Sequence, residues 1–252
     1  MTVLPGEVVC SAEALVVLAN RAEIGRLHMS LRPIPVWRDD AEMAQVYQQV
    51  SAELSGLPVY ERPGVLDRDF EVSLRCICRP EVAFLALTHI RGELRTVLAC
   101  SLGREGILAI SERGRVVLRQ ADPMRLPETL VGALPNHHPA VFKPFSVPIR
   151  EEEPANGPMH GVPAPPRSRE RELWDELVAR EQFGGGQITL ELRDAMGRSR
   201  KSDEPFTFVD ADLGRWYRAT EHRGEHGYVF CAPLPAPEFP VRLRGMHEQL
   251  TA

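Results

Sequence analysis

The chain has no apolar run approaching the roughly 20 residues that a bilayer span requires, and no basic segment leading into an apolar one near its start. Membrane insertion and export by a leader are therefore not expected. It has no CxxC spacing. Its five cysteines, Cys10, Cys76, Cys78, Cys100 and Cys231, form an odd set among apolar neighbours, which points to reduced, buried thiols in a cytosolic protein rather than a disulfide framework. It has no excess of basic charge either. A formal net charge of −5 gives phosphate backbones nothing to condense on, so DNA and RNA are not expected as main partners. Finally, it has no GxSxG elbow and no serine on a strand-to-helix turn, which removes the usual signature of Ser/His/Asp catalysis.

What the sequence does hold is ordinary globular composition. Hydrophobic residues make up 43% and charged residues 26%, far from the charge-rich, apolar-poor balance of disordered chains. At 252 residues a sizeable core is available.

Periodicity divides the chain into two similar runs. A strand-like Glu7 to Val9 precedes a helix over Cys10 to Leu27, and helices follow over Asp39 to Leu54 and Asp67 to Arg79, the last stopped by Pro80. The period then shortens to that of strands. Val82 to Ile90, Leu94 to Leu102, Ile107 to Ser111 and Arg115 to Leu118 read as a four-strand antiparallel meander, followed by a short helix over Leu126 to Leu134. Val141 to Ile149 reads as a strand that Pro144 and Pro148 confine to a sheet edge. Residues 151–166, with three glutamates, five prolines and two glycines, read as a flexible linker or loop. The order then repeats. A helix over Ser168 to Gln182, strands near Gly186 to Arg193, Phe206 to Asp210, Arg215 to Glu221 and Gly227 to Cys231, and a helix over Pro237 to Leu250 complete the chain. The expectation is an α+β protein forming one domain over residues 1–252, with pseudo-symmetric halves 1–140 and 141–252.

Candidate chemistry is sparse. Gly184-Gly185-Gly186-Gln187 has the look of a phosphate loop, but a helix precedes it and a strand follows, the reverse of what such loops need; it reads as a helix C-terminus turning into a strand. His137-His138 and the pair in HRGEH (His222 and His226) read as turn residues, since Gly224 prevents the helix that would align the second pair on a metal. Asp210 and Asp212 read as turn chemistry around Leu213-Gly214; an enzyme using these aspartates and the nearby histidines is the alternative. No cofactor or metal is implied. Apolar residues on two helices, Leu173, Trp174, Leu177 and Val178 on one and Phe239, Val241, Leu243, Met246 and Leu250 on the other, cover more circumference than one core stripe needs. They read either as bundle core or as a face kept for a partner, and Met and Trp suit the second role.

The strings FGGGQITLELRDAMGR, FTFVDADLGRWYRATE and GYVFCAPLP, between Phe183 and Pro235, resemble the closing signature of the EspG family. Upstream, Arg79-Pro80 after a helix, then RGELRTVLACSLGREGILAISERGRVVL, and Leu130 to Pro135 follow the same family's order. The resemblance implies a mixed α/β fold with two pseudo-symmetric halves, antiparallel sheets joined centrally and helical bundles at the ends. It also implies a cytosolic chaperone of type VII (ESX) secretion that binds a PE–PPE heterodimer or a related helical-hairpin substrate, shields its apolar tip and has no enzymatic activity. The binding surface it implies comprises the turn Arg91, Gly92 and Glu93 with Leu173, Trp174 and Leu177 of one helix and Leu243, Met246 and Leu250 of the other. A monomer is expected, with self-association through the same helices as a further reading.

Overall fold

The computed structural model describes residue 4 and residues 6–33, 35–62, 64–149, 168–224 and 226–251. The Pro-rich segment 151–166, expected from sequence to be a linker, lies outside the described residues.

Local chemistry sets the element boundaries of the first half. Strand β1 (Val8–Ser11) passes into helix α1 (Ala12–Arg21) where the Ser11 side chain accepts from the Ala14 N–H. The expected helix over Cys10 to Leu27 is therefore shorter at both ends: Cys10 and Ser11 belong to the strand, and Glu23 (φ 53) and Gly25 (φ 119) turn the chain away. Helix α2 (Asp40–Ser55) starts on a capping box in which Asp39 and Glu42 satisfy one another's backbone N–H groups at 2.8 and 3.1 Å. A small hairpin, β2 (Tyr60–Arg62) and β3 (Val65–Leu66), leads to α3 (Arg68–Cys78), where Asp67 accepts from the N–H groups of Asp69 and Phe70. The meander follows as β4 (Val82–Ile90), β5 (Glu93–Leu102), β6 (Glu105–Glu112) and β7 (Arg115–Gln120), then α4 (Leu126–Gly132).

The second half also has an opening strand, a meander and a closing helix, but with a single helix before the meander. It runs β8 (Phe145–Pro148), α5 (Arg169–Ala179), β9 (Gln182–Arg193), the short β10 (Ser199–Lys201), β11 (Phe206–Ala211), β12 (Gly214–Arg223), β13 (His226–Pro233) and α6 (Glu238–Thr251).

All of these strands except β2 and β3 join one antiparallel sheet, ordered β1-β7-β6-β5-β4-β9-β11-β12-β13-β8, with β10 paired to β9. The order is symmetric in role. In each half the strand that opens the half pairs with the last strand of its own meander and forms an outer edge. The first strands of the two meanders, β4 and β9, meet in the middle from Val82↔Leu192 to Ile90↔Gly184. The two antiparallel meanders are thus joined centrally, as expected.

Side chains alternate between the two faces of a strand, and the faces carry different helices. On one face, α1, α2 and α3 bury Leu15, Leu18, Leu54, Phe70 and Leu74 over the first half, and α5 covers Trp216 and Cys231 over the second. On the opposite face α4 and α6 pack together across both halves over Phe84, Ile188, Leu190, Phe208 and Tyr217.

The glycine run departs from its sequence reading. Helix α5 ends at Ala179, and Gly184, Gly185 and Gly186 lie inside β9, paired to β4 on one side and β11 on the other. The reason is space: a Cβ on Gly186 would sit 2.6 Å from the Leu87 carbonyl oxygen, and one on Gly185 would sit 2.8 Å from that of Phe208. Gly185 also has φ +148, which L side chains rarely adopt.

Candidate partner-binding groove

Between α5 and the β4–β5 hairpin the first face of the sheet is bare. Two register rows cross it: His89, Gly185, Val209 and Trp216, then Leu87, Gln187, Thr207 and Arg218, each residue paired to the next on adjacent strands. One wall is α5, whose Trp174 ring meets Trp216 edge to face at 6.4 Å. That wall is tied down by Arg180, which bridges Asp212 and Glu176 at 3.0 Å each. The other wall is the hairpin end with Leu87 and Leu94, and the glycines of β9 leave the floor low. The result is a groove of about 390 Å³ lined by Leu87, His89, Trp174, Val178, Gln187 and Arg218, among others.

Its rim is apolar and wet. Leu87 is 51% exposed and Val178 47%, and Leu94, paired to His89 in the register, is 79% exposed. Large apolar side chains this exposed and this close together mark a surface that water covers poorly. The open end of the groove is the Arg91-Gly92 turn, where φ values of 52 and 85 are those of the tight two-residue hairpin. The Arg91 N–H donates to the Phe183 carbonyl at 2.9 Å, which fixes the turn beside the groove, and Glu93 pairs with Arg113 at 2.9 Å.

The residues expected from sequence to bind a partner fall into separate groups. Arg91, Gly92 and Glu93 are exposed at the groove's end, and Leu173 and Trp174 are half-buried on α5. Leu177, on the same helix, is core beneath it at 5% exposure and has little surface to offer. Leu243 is fully buried, and Met246 and Leu250 pack half-buried against the same core, on the opposite face of the sheet. The structure therefore does not bring the α6 residues together with the turn and α5. Leu87, His89, Leu94 and Arg218 were missed. In Val82 to Ile90 the residues pointing to both faces are mostly apolar, so alternation could not tell the covered face from the bare one.

The aspartates and histidines are differently engaged. Asp210 is buried and takes both donors of the buried Arg215, Nε at 2.6 Å and Nη2 at 2.8 Å. The same Nη2 donates to the Pro135 carbonyl oxygen at 2.8 Å, and the guanidinium lies 5.0 Å from the Phe208 ring centre. His137 Nε2 stands 3.7 Å from Asp210 Oδ2, so His137 is packed against this pair and is not a simple turn residue. The segment around His138 crosses β12 so closely that a Cβ on Gly214 would be 2.6 Å from His138 Nδ1. Both oxygens of Asp210 accept from Arg215, and Asp212 is held in the Arg180 bridge, so neither aspartate is aimed into the groove as a pair. His222 and His226 flank the β12–β13 turn, as expected. Among the described residues no group of three His, Cys, Asp or Glu side chains is placed to hold a metal ion.

The Asp-x-x-x-Gly-Arg-Trp string thus has a structural reading: Asp210 and Arg215 form a buried clasp, Gly214 admits the crossing segment, and Trp216 floors the wall of the groove.

No curated protein matches this sequence. Among solved structures, the fold is similar to that of the Mycobacterium tuberculosis type VII secretion system chaperone EspG5, determined in complex with a PE25–PPE41 dimer. The TM-score is 0.60 and the identity 12%, over 97% of this chain and 96% of that one. The EspG family's sequence profile matches residues 11–245, nearly the whole chain, and on that match this protein belongs to the EspG family.

Proposed function

We propose that this protein is a cytoplasmic chaperone of type VII secretion that works by binding and not by catalysis, and that the groove beside α5 receives an apolar segment of a PE–PPE-type heterodimer. The observation that carries this reading is the exposure of Leu87 and Val178 in one groove, with Leu94 beside its His89, over a floor that glycine keeps low. Support comes from the family and from the similar fold of a chaperone captured with such a dimer.

The driving force is removal of apolar area from water, roughly 25 cal/mol per Å², offset by the cost of association. A rigid groove keeps that cost low, since Trp174 is braced by Trp216 and the turn at Arg91 by Phe183. The partner gains equally: the apolar segment it buries here is withheld from aggregation until export. Arg91, Gly92, Glu93, Leu173 and Trp174 form the rim in this scheme. Met246 and Leu250 lie on the other face and play no part in the groove.

Co-expression with candidate PE–PPE pairs tests it. The wild-type chain is expected to co-purify with a pair as a stoichiometric complex and to raise that pair's soluble yield, and Leu87→Asp with Trp174→Ala to abolish both. Failure of every pair to co-purify, or capture undiminished in the double variant, would sink the proposal.

A further inference from the structure

We infer that α2 is a contact surface for a second copy of this chain. Two copies pack α2 against α2, antiparallel about a two-fold axis, and each places Trp37 in the hollow at the far end of the other's helix.

Helix α2 is sparsely held. Of its 16 residues only Val50 and Leu54 are buried. Asp40, Ala44, Tyr47, Gln48, Ser51 and Ser55 recur at three- and four-residue steps and are all exposed, so they share one outward face. Between Glu42 and Glu53 the sequence has no charged residue, although 26% of the chain is charged. An exposed helix normally carries charge on its outer face, and a charge-free centre with exposed aromatics is the composition of an interface core. Tyr47 is 61% exposed, and Trp37, just before the helix, is 87% exposed. The segment bearing Trp37 is anchored: Arg38 pairs with Glu13 of α1 at 3.6 Å, and Asp39 opens the capping box.

The face is its own complement. At its C-terminal end lies a hollow of about 570 Å³ lined by Arg21, Ser51, Ser55, Leu57, Tyr60 and Arg62, with Glu61 at its side. Asp39, Asp40 and Glu42 are exposed at the N-terminal end, and Arg21 and Arg62 at the other. Asp40, Arg21 and Arg62 form no ion pair among the described residues. A second helix turned end for end about the midpoint between Tyr47 and Gln48 sets Ala44 against Ser51, Asp40 against Ser55, and Trp37 against the stretch from Leu57 to Tyr60. Small side chains then meet near the centre, each indole meets a hollow, and each acidic end meets the other copy's arginines. A second copy carries both ends of this pattern by construction, which is the requirement of a two-fold contact.

Elsewhere the copies repel, since each carries a net charge of −5. A contact along one helix about 24 Å long, even with an indole at each end, falls short of the roughly 800 Å² per partner of a standard interface. The dimer is therefore weak and set by concentration. It leaves the groove free. Glu53 ties α2 to Ser11 of β1, at the outer edge of the sheet and five strand spacings, roughly 24 Å, from β9.

Sedimentation of the full chain over a roughly hundredfold range of concentration tests this. The wild-type mass is expected to rise from one chain towards two. Trp37→Ala or Ala44→Arg should move the midpoint upward about tenfold or more, with circular dichroism and melting temperature unchanged. Charge reversal fixes the arrangement. Asp40→Arg, and a second variant with Arg21→Glu and Arg62→Glu, should each stay monomeric alone, because like charges then meet at both ends. Mixed, the two variants should dimerise, because both ends are matched. A mixture that stays monomeric overturns the end-for-end packing. So does a wild type that sediments as one chain throughout, or a dimer indifferent to Trp37→Ala and Ala44→Arg. The groove reading is tested apart from this one: Leu87→Asp should dimerise as wild type does, and the α2 variants should capture a PE–PPE pair undiminished. Loss of capture in the α2 variants would give this face to the secreted partner and overturn the inference.

Discussion

Arg215 and Asp210 face one another across the β11–β12 hairpin as a buried two-point ion pair, 4% and 2% exposed, and the same guanidinium reaches the Pro135 carbonyl of the segment that links the two halves. Removing one partner leaves a charge buried without its counterpart, so Arg215→Ala or Asp210→Ala is expected to cost about 3–5 kcal/mol. Replacing both with apolar residues of similar size should cost much less. Urea unfolding midpoints of the single and double variants check this, and additive losses would refute the coupling.

The glycines of β9 make a second expectation. With 2.6 Å available between a Gly186 Cβ and backbone, Gly186→Ala must push β4 and β9 apart at the seam of the sheet. A loss of about 2 kcal/mol or more is expected, against a few tenths for Gly92→Asn, whose turn position lies in open space and whose left-handed backbone Asn tolerates. Thermal melts of the two variants compare them directly.

Core and groove should separate cleanly. Leu243→Ala and Leu177→Ala remove buried side chains and are expected to cost about 2–5 kcal/mol. Leu87→Ser and Leu94→Ser remove exposed ones and should change stability by about 0.5 kcal/mol or less while reducing partner capture. A capture defect that tracks stability across all four would argue against a dedicated surface.

The thiols give a pH signature. Burial pushes Cys10 and Cys231 from 9.0 up to about 12 and Cys78 to about 11, while the hydrogen bond with Cys76, 3.8 Å away, together with burial holds Cys100 well above its ordinary value. In the folded chain these groups keep their protons where the unfolded chain releases them, so stability is expected to fall as pH climbs from 9 towards 12. At pH 8 the native protein should react with a thiol reagent orders of magnitude more slowly than the denatured one. Rapid labelling of any of the five without unfolding would contradict this burial.

Much of this architecture is written in local signals. The caps at Asp39, Asp67 and Ser168 begin helices where sequence places them, and the Arg91-Gly92 and Gly114 turns divide the meander as their backbone demands. Pro144 and Pro148 rightly send β8 to an edge. The glycine run was misread because its requirement is tertiary: its neighbours, Leu87 and Phe208, are distant in sequence, and a triple glycine after a helix looks like a stop. The groove was half legible. Trp174 and the turn stand out by type and position, whereas Leu87 and Arg218 become a site only through a register spanning four strands. Leu243, Met246 and Leu250 carry the same amphipathic signal as α5, and only the sheet between them reveals that they face another way.

The central seam has a consequence for how the chain is made. Strand β4 finds its second neighbour only when β9 exists, about a hundred residues later, since Val82 pairs with Leu192 and Ile90 with Gly184. During translation the first half therefore emerges with the longest strand pair of its meander ending in an open, apolar margin. Until the second half arrives to close it, this protein is itself a nascent chain with an adhesive flank, and its own synthesis passes through the kind of exposure it is proposed to relieve in others.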